Sequence, residues 1–359
     1  MASTAKLQAL DGMRGIAAIS VLLLHLGNWI EHRWIFAHGY LAVDFFFCLS
    51  GFVMAHAYGR RLASSMSFRE FAIQRVIRLY PVIVLGMAMG AAYYAFVAMM
   101  IKYQTFGTAD VGIALGLNLF LIPFYFVSSA LGTGIYPLNT PFWSIFFEVV
   151  ANLTWARFFV RVSPVVLFGI AAAIGLYVFP QYERLDGGGL IDQFWIGTFR
   201  VMVGFSAGLL VHRLYVENRF TRVSGLNPFL LLGGLMALFS VPNVGGVWYD
   251  MACTLIAFPI LTFLGARASQ VSGRAILEWL GDISYPLYGI HRPICLFLIF
   301  VVGPRLPSSC AVALVFPLSI AASLYAAHLV FDYFDEPIRN IMRKRLVGPK
   351  AREASLAAP

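Results

Sequence analysis

The sequence predicts an all-α polytopic membrane protein with about ten transmembrane helices, one re-entrant or partial helix, and both termini in the cytoplasm. Of its 359 residues, 60% are hydrophobic and only 12% are charged, about half the charged fraction of a typical soluble domain. Apolar runs of the ~20 residues needed to cross a bilayer recur along the chain, and basic residues cluster between particular runs. This composition excludes soluble, disordered and fibrous proteins, because too few polar residues remain to cover a water-exposed surface.

Eleven apolar segments joined by short loops account for most of the chain, so no stretch remains for a second folded domain. We therefore expect a single membrane-embedded domain over 1–338 and a basic cytoplasmic tail over 339–359. The predicted segments are 15–31, 39–58, 80–101, 111–127, 143–162, 164–180, 194–212, 227–242, 247–265, 284–302 and 310–334.

The distribution of charge predicts the orientation, because cytoplasmic loops of membrane proteins are enriched in Lys and Arg. The densest basic stretch, 60–78, follows the second segment, which places it and the N-terminus in the cytoplasm. If 111–127 enters the membrane and returns, every other basic cluster also falls on the cytoplasmic side. That segment contains two glycines and a proline, and the loop 130–142 after it has no charge. The alternative is that another segment fails to cross.

The net charge of +9 comes from 26 basic and 17 acidic residues. In a membrane protein it reflects loops beside anionic lipid and not binding of nucleic acid. Cysteines in apolar surroundings, without the spacing of metal ligands or paired thiols, are expected to pack in the core, and no metal site is predicted. The four cysteines are Cys48, Cys253, Cys295 and Cys310.

The first segment places three ionisable residues on one helical face. Asp11 and Arg14 are three residues apart and therefore neighbours on that face. His25 follows Arg14 by eleven residues, which returns it to within about 20° of the same face and about 16 Å further along the axis. A lone histidine in an apolar helix is more often a packing residue. Beside an aligned acid and arginine it becomes a candidate general base, because neutral imidazole is the usual base near pH 7.

A pair of arginines precedes the third segment. Arg75 and Arg78 share one face of a predicted short cytoplasmic helix that ends at Pro81. An interfacial helix whose arginines meet lipid phosphates explains this spacing equally well. The functional interpretation is a bidentate clamp on a phosphorylated ligand.

The fifth segment opens with Trp143 and places Ser144 and Glu148 one turn apart, near its predicted outer end. A carboxylate in the membrane is costly unless it is paired or hydrated. A shallow acid reached by outside water explains Glu148 as well as a binding role does.

The tenth segment carries Ser284, Tyr288 and His291 on adjoining turns of one face. Hydrogen bonding between helices is the simpler explanation for polar side chains at this depth. A binding site is the alternative, because the three side chains line the same stripe of one helix.

Six blocks, in this order, resemble the acyltransferase 3 family of membrane enzymes, which modify cell-surface carbohydrates and related acceptors. Each block is weak evidence alone, and six in order are specific. The usual acid pair after the Trp-Ser block is Glu148-Val149 here, so only Glu148 is carried over. No hydrolase-like extension follows the last helix, so the chain resembles the family's stand-alone members. The blocks are LQALDGMRGIAAISVLLLH (7–25), GYLAVDFFFCLSGFVM (39–54), the Arg75/Arg78 pair, WSIFFE (143–148), LGDISYPLYGIHRPI (280–294) and FDYFDEPIRN (331–340).

The resemblance implies transfer of a small acyl group, most often acetyl, from cytoplasmic acyl-coenzyme A to a hydroxyl of a glycan or lipid-linked sugar, without a metal, in a bacterial inner membrane. It implies that His25 is the essential base, supported by Asp11 and Arg14, and that Arg14, Arg75 and Arg78 hold the acyl donor. Direct transfer and an acyl-enzyme intermediate both remain open. The substrate-binding residues implied in this way are Asp44, Ser50, Trp143, Ser144, Glu148, Tyr288 and His291.

A proton-coupled secondary transporter is the alternative function. His25, Glu148 and His291 would then form a relay, and helices broken at Pro286 and Pro317 suit such a carrier. Carriers usually show two related halves, and no internal repeat is visible in this sequence. A scaffold without catalysis is disfavoured, because packing alone does not require buried acids and imidazoles.

Overall fold

The computed structural model describes residues 7–100, 106–125, 131–220, 225–242, 244–269, 273–307 and 311–347. It is 79% helical and contains no strand within these ranges. Eight of the described helices are long and apolar enough to cross a membrane. The predicted class, an all-α polytopic membrane protein, is therefore confirmed. The number of crossings and the orientation of the termini stay predictions.

Each of the eleven predicted segments overlaps a described helix, although 111–127 is helical only to residue 119 and the ends at 101, 127 and 310 lie outside the described residues. Cys48, Cys253 and Cys295 are buried and free, while Cys310 lies outside the described residues. The described α-helices are α1 (Gln8–Trp29), α2 (Ala42–Met54), α3 (Arg60–Ser64), α4 (Phe68–Met100), α5 (Thr108–Leu119), α6 (Phe142–Thr154), α7 (Pro164–Val178), α8 (Phe194–Val216), α9 (Pro228–Ser240), α10 (Gly246–Ala252), α11 (Phe258–Ala266), α12 (Arg274–Phe297), α13 (Ala311–Val330) and α14 (Glu336–Leu346).

Five π-helical turns extend or join these helices in the described part of the chain. A π-turn adds a residue to a helix and is common at functional sites. The turn Ala55–Gly59 joins α2 to α3, and Phe331–Asp335 joins α13 to α14. The other three turns are Trp155–Phe159, Cys253–Ala257 and Leu298–Val302.

The predicted break at Pro81 is wrong, because α4 runs without interruption from Phe68 to Met100. Proline removes one backbone hydrogen bond and usually ends or kinks a helix. Here Pro81 is buried together with Ile77 and Val82, and packing on the bundle maintains the helix. Arg75 and Arg78 therefore belong to the same rigid rod as the third predicted segment.

The predicted partial segment, 111–127, corresponds to α5. With 12 residues, α5 is about 18 Å long, well short of the ~30 Å hydrocarbon core. The chain then turns, and the Phe124 amide donates to the Ile135 carbonyl at 2.8 Å. At 13 residues, α9 is nearly as short, so which segment fails to cross stays a prediction.

Glycines set the closest helix contacts. A Cβ atom added at Gly15 of α1 would lie 2.5 Å from the Cβ atom of Leu280 in α12, and one added at Gly281 would lie 2.6 Å from the Cβ atom of Asp11. Small residues let helix backbones approach in membranes. Helices α1 and α12 consequently lie side by side and run parallel, as do α2 and α8 through Gly51 and Gly208.

Gly208→Val is predicted to destabilise the fold. A Cβ atom at Gly208 would lie 2.6 Å from the backbone nitrogen of Phe52, and overpacking of this kind costs about 1–3 kcal/mol. Gly233→Val is the matched control, because a Cβ atom there meets nothing within 4 Å. Thermal unfolding in detergent should show a lower midpoint for Gly208→Val alone. Equal midpoints for the two variants would contradict the packing described here.

Candidate active site

Three cavities follow one another through the bundle, from the end where α1 begins toward the end where it finishes. The entrance cavity has a volume of about 320 Å³, the middle cavity about 140 Å³ and the far cavity about 440 Å³. The entrance and middle cavities share Arg14, Arg75 and Arg78, and Tyr288 lines both the middle and the far cavity. Further lining residues are Asp11, Arg61, Arg339 and Arg343 at the entrance, Ser50, Ser144 and Glu148 in the middle, and His25, Trp143, Arg184 and Arg200 in the far cavity.

Arg14 is fixed at the contact between α1 and α12. Its Nη2 atom lies 3.1 Å from a carboxylate oxygen of Asp11 and donates to the Gly281 carbonyl at 2.9 Å. Its Nε atom donates to the Ser284 hydroxyl at 2.8 Å. The side chain is held at several points and lines both cavities at this end.

His25 lies further along the same contact, beside His291. The Nδ1 atom of His25 is 2.9 Å from Nε2 of His291, and Nδ1 of His291 is 2.9 Å from the Leu287 carbonyl oxygen. A carbonyl only accepts, so Nδ1 of a neutral His291 carries its proton and Nε2 accepts. Nδ1 of His25 therefore donates, and Nε2 of a neutral His25 keeps its lone pair. This pattern of hydrogen bonds is what a general base requires.

Tyr288 and Ser144 form the boundary between the middle and far cavities. Their hydroxyl oxygens are 2.6 Å apart, and each hydroxyl is also placed to donate to the Pro141 carbonyl, at 3.1 Å in both cases. Both residues are buried. Tyr288 is the one residue shared by the linings described for the middle and far cavities, so its position controls whether they connect.

Glu148 faces the middle cavity and pairs with Arg75. Its Oε1 atom accepts from Arg75 Nη2 at 3.0 Å and from the Ser50 hydroxyl at 2.9 Å. Glu148 lies six residues after the start of α6 at Phe142, about 9 Å along the helix, and the expectation that it lies toward the outside stays a prediction. Tyr288 and Ser144 lie between Glu148 and His25, which line different cavities.

Arg78 contacts a residue that the sequence analysis did not select. Its Nη1 atom is 3.7 Å from a carboxylate oxygen of Asp335, and Arg339 Nη2 is 3.1 Å from the same oxygen. Asp335 is fully buried. The only sequence signal was its place in the FDYFDEPIRN block. Arg339 and Arg343, which we assigned to the tail, line the entrance cavity.

Asp44 is paired with Arg200, and both side chains have 0% exposure. Nε and Nη2 of Arg200 donate to the two carboxylate oxygens of Asp44 at 3.0 and 2.6 Å. The guanidinium carbon lies 5.2 Å from the centre of the Trp143 ring. Asp44 lies behind the wall of the far cavity, while Arg200 and Trp143 line it. The observed contacts of Asp44 thus hold the Arg200 side chain in the wall of the far cavity.

Loops supply the remaining wall of the far cavity. Arg184 donates to the Ala37 carbonyl at 2.9 Å, and its guanidinium carbon lies 4.8 Å from the centre of the Tyr40 ring. Nearby, His38 is fully buried and donates from Nδ1 to the Val241 carbonyl at 3.0 Å. Burial lowers the pKa of His38, so this imidazole is neutral at pH 7. Other polar lining residues are Asn28, Arg33, Thr140 and Asp186.

The arrangement brings the predicted residues together in three groups. Asp11 and Arg14 meet at the entrance, Ser50, Glu148 and Arg75 meet in the middle, and His25 faces the far cavity with His291 behind it. No group of three or more His, Cys, Asp or Glu side chains that suits a metal ion occurs in the part of the chain that is described.

Comparison of the sequence with models of known protein families gives a match to one family. The model of acyltransferase 3, described as an acyltransferase domain, matches residues 7–328. The chain is 23% identical to the peptidoglycan O-acetyltransferase OatA of Listeria monocytogenes, over 92% of this chain and 56% of that protein. It is 24% identical to the acyltransferase MdmB of Streptomyces mycarofaciens, over 99% of this chain and 97% of that protein. No solved structure matches.

A third relative, protein 2 in the picA locus of Rhizobium radiobacter, is 35% identical over 43% of this chain and 83% of that protein. The chain spans about half the length of the two peptidoglycan O-acetyltransferases it matches, the putative YrhL of Bacillus subtilis being the second, at 25% identity. Among these relatives, the MdmB alignment covers 99% of the chain, whereas that with the picA-locus protein covers 43%.

Asp44→Asn is predicted to destabilise the protein by about 3–5 kcal/mol, because it leaves the Arg200 guanidinium buried without a counter-charge. Asp332→Asn is the matched control: its pair with His328 is exposed, so the loss is below about 1 kcal/mol. The free energy of unfolding in detergent measures the loss of stability in both variants. The double variant Asp44→Asn/Arg200→Gln should recover part of the lost stability. An Asp44→Asn protein as stable as the wild type would contradict the buried ion pair between Asp44 and Arg200.

Proposed function

The chain belongs to the acyltransferase 3 family, whose model matches residues 7–328, and from this premise we propose that it transfers a small acyl group, acetyl, from cytoplasmic acyl-coenzyme A to a hydroxyl of a cell-surface or exported acceptor. The observation that carries the proposal is the His25 imidazole, whose Nε2 atom keeps its lone pair and whose ring lines the far cavity. Membership supplies the reaction class, and His25 supplies the base.

The arginine-lined entrance suits the acyl donor. Coenzyme A carries a pyrophosphate and a 3′-phosphate, and guanidinium groups bind phosphate oxygens in a bidentate manner. Arg14, Arg75 and Arg78 line both the entrance and the middle cavity. A donor with its phosphates beside them would extend its pantetheine arm through the middle cavity toward Tyr288 and His25.

The proposed reaction is direct transfer. Nε2 of His25 accepts the proton of the acceptor hydroxyl while that oxygen attacks the thioester carbonyl. The carbon–sulfur bond breaks, and the thiolate of coenzyme A takes the proton from the His25 imidazolium, so that the products are the ester and the free thiol and His25 is neutral again. His291 acts as a positioning residue, because it accepts from Nδ1 of His25 and holds the imidazolium that forms. Tyr288, which lines both cavities, would turn its hydroxyl from the Pro141 carbonyl to the carbonyl oxygen of the thioester as negative charge develops there.

The far cavity suits a carbohydrate acceptor. Its wall combines the Trp143 ring with the amide of Asn28, the hydroxyl of Thr140 and the charged groups of Arg184 and Asp186. Such a mixture of one aromatic face and several hydrogen-bonding groups is typical of sites for hydroxylated ligands. The named activity of two relatives, peptidoglycan O-acetylation, supports a glycan acceptor. With the N-terminus in the cytoplasm, as the basic loops predict, this cavity opens to the outside of the bacterial inner membrane.

His25→Ala is predicted to lower transfer by about 10²- to 10⁴-fold, the usual contribution of a general base. The measurement is transfer of label from radioactive acetyl-coenzyme A in isolated membranes, together with the mass of surface glycans from the same cells. His32→Ala is the matched control, since His32 is exposed and, among the described residues, its imidazole contacts only the Ile30 carbonyl and the Trp34 ring. Full activity of His25→Ala in a protein that still inserts would remove the mechanism.

His291→Leu is predicted to lower kcat by about 10²-fold through misorientation of the base, with little change in KM for acetyl-coenzyme A. His291 contacts His25 and does not line the arginine cavities. His328→Leu, which changes an exposed histidine, should leave both constants unchanged. A rise in KM with unchanged kcat would assign His291 to donor binding instead.

A further inference from the structure

The entrance cavity carries more positive charge than its carboxylates neutralise. Arg14 pairs with Asp11, Arg75 pairs with Glu148, and Arg78 and Arg339 share Asp335. Asp282 is a further carboxylate in the lining, so four carboxylates stand against six arginines. Two others, Arg61 and Arg343, form no ion pair within the described ranges. The six arginines that line the cavity are Arg14, Arg61, Arg75, Arg78, Arg339 and Arg343.

Two guanidinium nitrogens in this cavity are buried and have no hydrogen-bond acceptor among the described residues. They are the Nε atoms of Arg75, in α4, and Arg343, in α14. Buried donors are nearly always satisfied, because an unpaired one loses its water without compensation. Arg343 has only a 3.4 Å contact from Nη1 to the Asn340 side-chain oxygen. An anion in the cavity would instead bind the terminal Nη atoms of Arg343, for which no other acceptor is found among the described residues.

The start of α14 is held at the cavity wall by a buried ion pair. Asp335, at the end of the π-turn before α14, binds Arg78 and Arg339 together. Arg343 follows Arg339 by one helical turn and therefore lies on the same face. Lys344 and Arg345, which a basic interfacial helix would present to lipid phosphates, are exposed. One face of α14 is thus directed at the cavity and another at the solvent.

We propose that α14 completes the donor site and that Arg343, assisted by Arg61, binds the 3′-phosphate of coenzyme A. This rests on the proposed function. In coenzyme A the thioester, the pantetheine arm, the pyrophosphate and the ribose 3′-phosphate follow in that order. Arg14, Arg75 and Arg78 line both the entrance and the middle cavity, whereas Arg61 and Arg343 line the entrance alone. The arginines nearer the thioester therefore meet the pyrophosphate, and the outer two meet the group farthest from it.

The experiment compares coenzyme A with 3′-dephospho-coenzyme A by calorimetry, using the full-length protein in nanodiscs of uncharged phosphatidylcholine. The wild type should bind coenzyme A about tenfold more tightly than the dephospho compound, the value of one charged hydrogen-bonded contact. Arg343→Gln should lose this preference and bind the dephospho compound as the wild type does. Arg75→Gln should weaken both ligands equally. Arg61→Gln is a second variant that reduces the preference.

Arg345→Gln is the matched control, because it removes the same charge from the exposed face of α14. It should leave both affinities unchanged, and an equal loss in Arg343→Gln and Arg345→Gln would overturn the proposal in favour of diffuse attraction. Full retention of the preference by Arg343→Gln and Arg61→Gln, or no preference in the wild type, would overturn it while leaving the donor assignment intact. Failure of the wild type to bind either compound would instead refute the proposed donor, and this inference with it.

Discussion

The parallel contact between α1 and α12 is the constraint on which the rest of the site depends. Glycines at Gly15 and Gly281 bring the two backbones close enough for polar side chains to meet across the gap. Arg14 then reaches Ser284 near one end, and His25 reaches His291 further along. Because both helices run in the same direction, one register fixes the arginine and the base together. Any shift of α12 along α1 would displace both.

Charge burial explains much of the remaining architecture. A charged side chain inside a membrane protein is costly unless a partner neutralises it, and the partners here come from distant helices. Asp44 of α2 pairs with Arg200 of α8, and Glu148 of α6 pairs with Arg75 of α4. These ion pairs connect the helices that form the cavity walls within the membrane-embedded part of the protein. At the entrance, by contrast, six arginines line one cavity, and Arg61 and Arg343 form no ion pair among the described residues.

The sequence predicted the helices and the polar face of α1 well, because both depend on local periodicity. It predicted less about pairing, which depends on residues far apart in the chain: Asp44 and Arg200 are separated by 156 positions. The pairing of Glu148 with Arg75, 73 positions away, lies equally beyond local periodicity. Arg339 and Arg343 were assigned to a tail because their local charge density resembles one, and only the contact of Asp335 with Arg78 reveals the interior position of Arg339.

The Tyr288–Ser144 contact has a consequence for the cell that carries this protein. Two cavities that nearly meet inside a bilayer are a potential path for water and small solutes, and the Tyr288–Ser144 contact at 2.6 Å fills the place where their described linings meet. The same closure shields a bound thioester from water arriving on the acceptor side. The contact thus limits leakage across the membrane and protects the activated acyl group from hydrolysis.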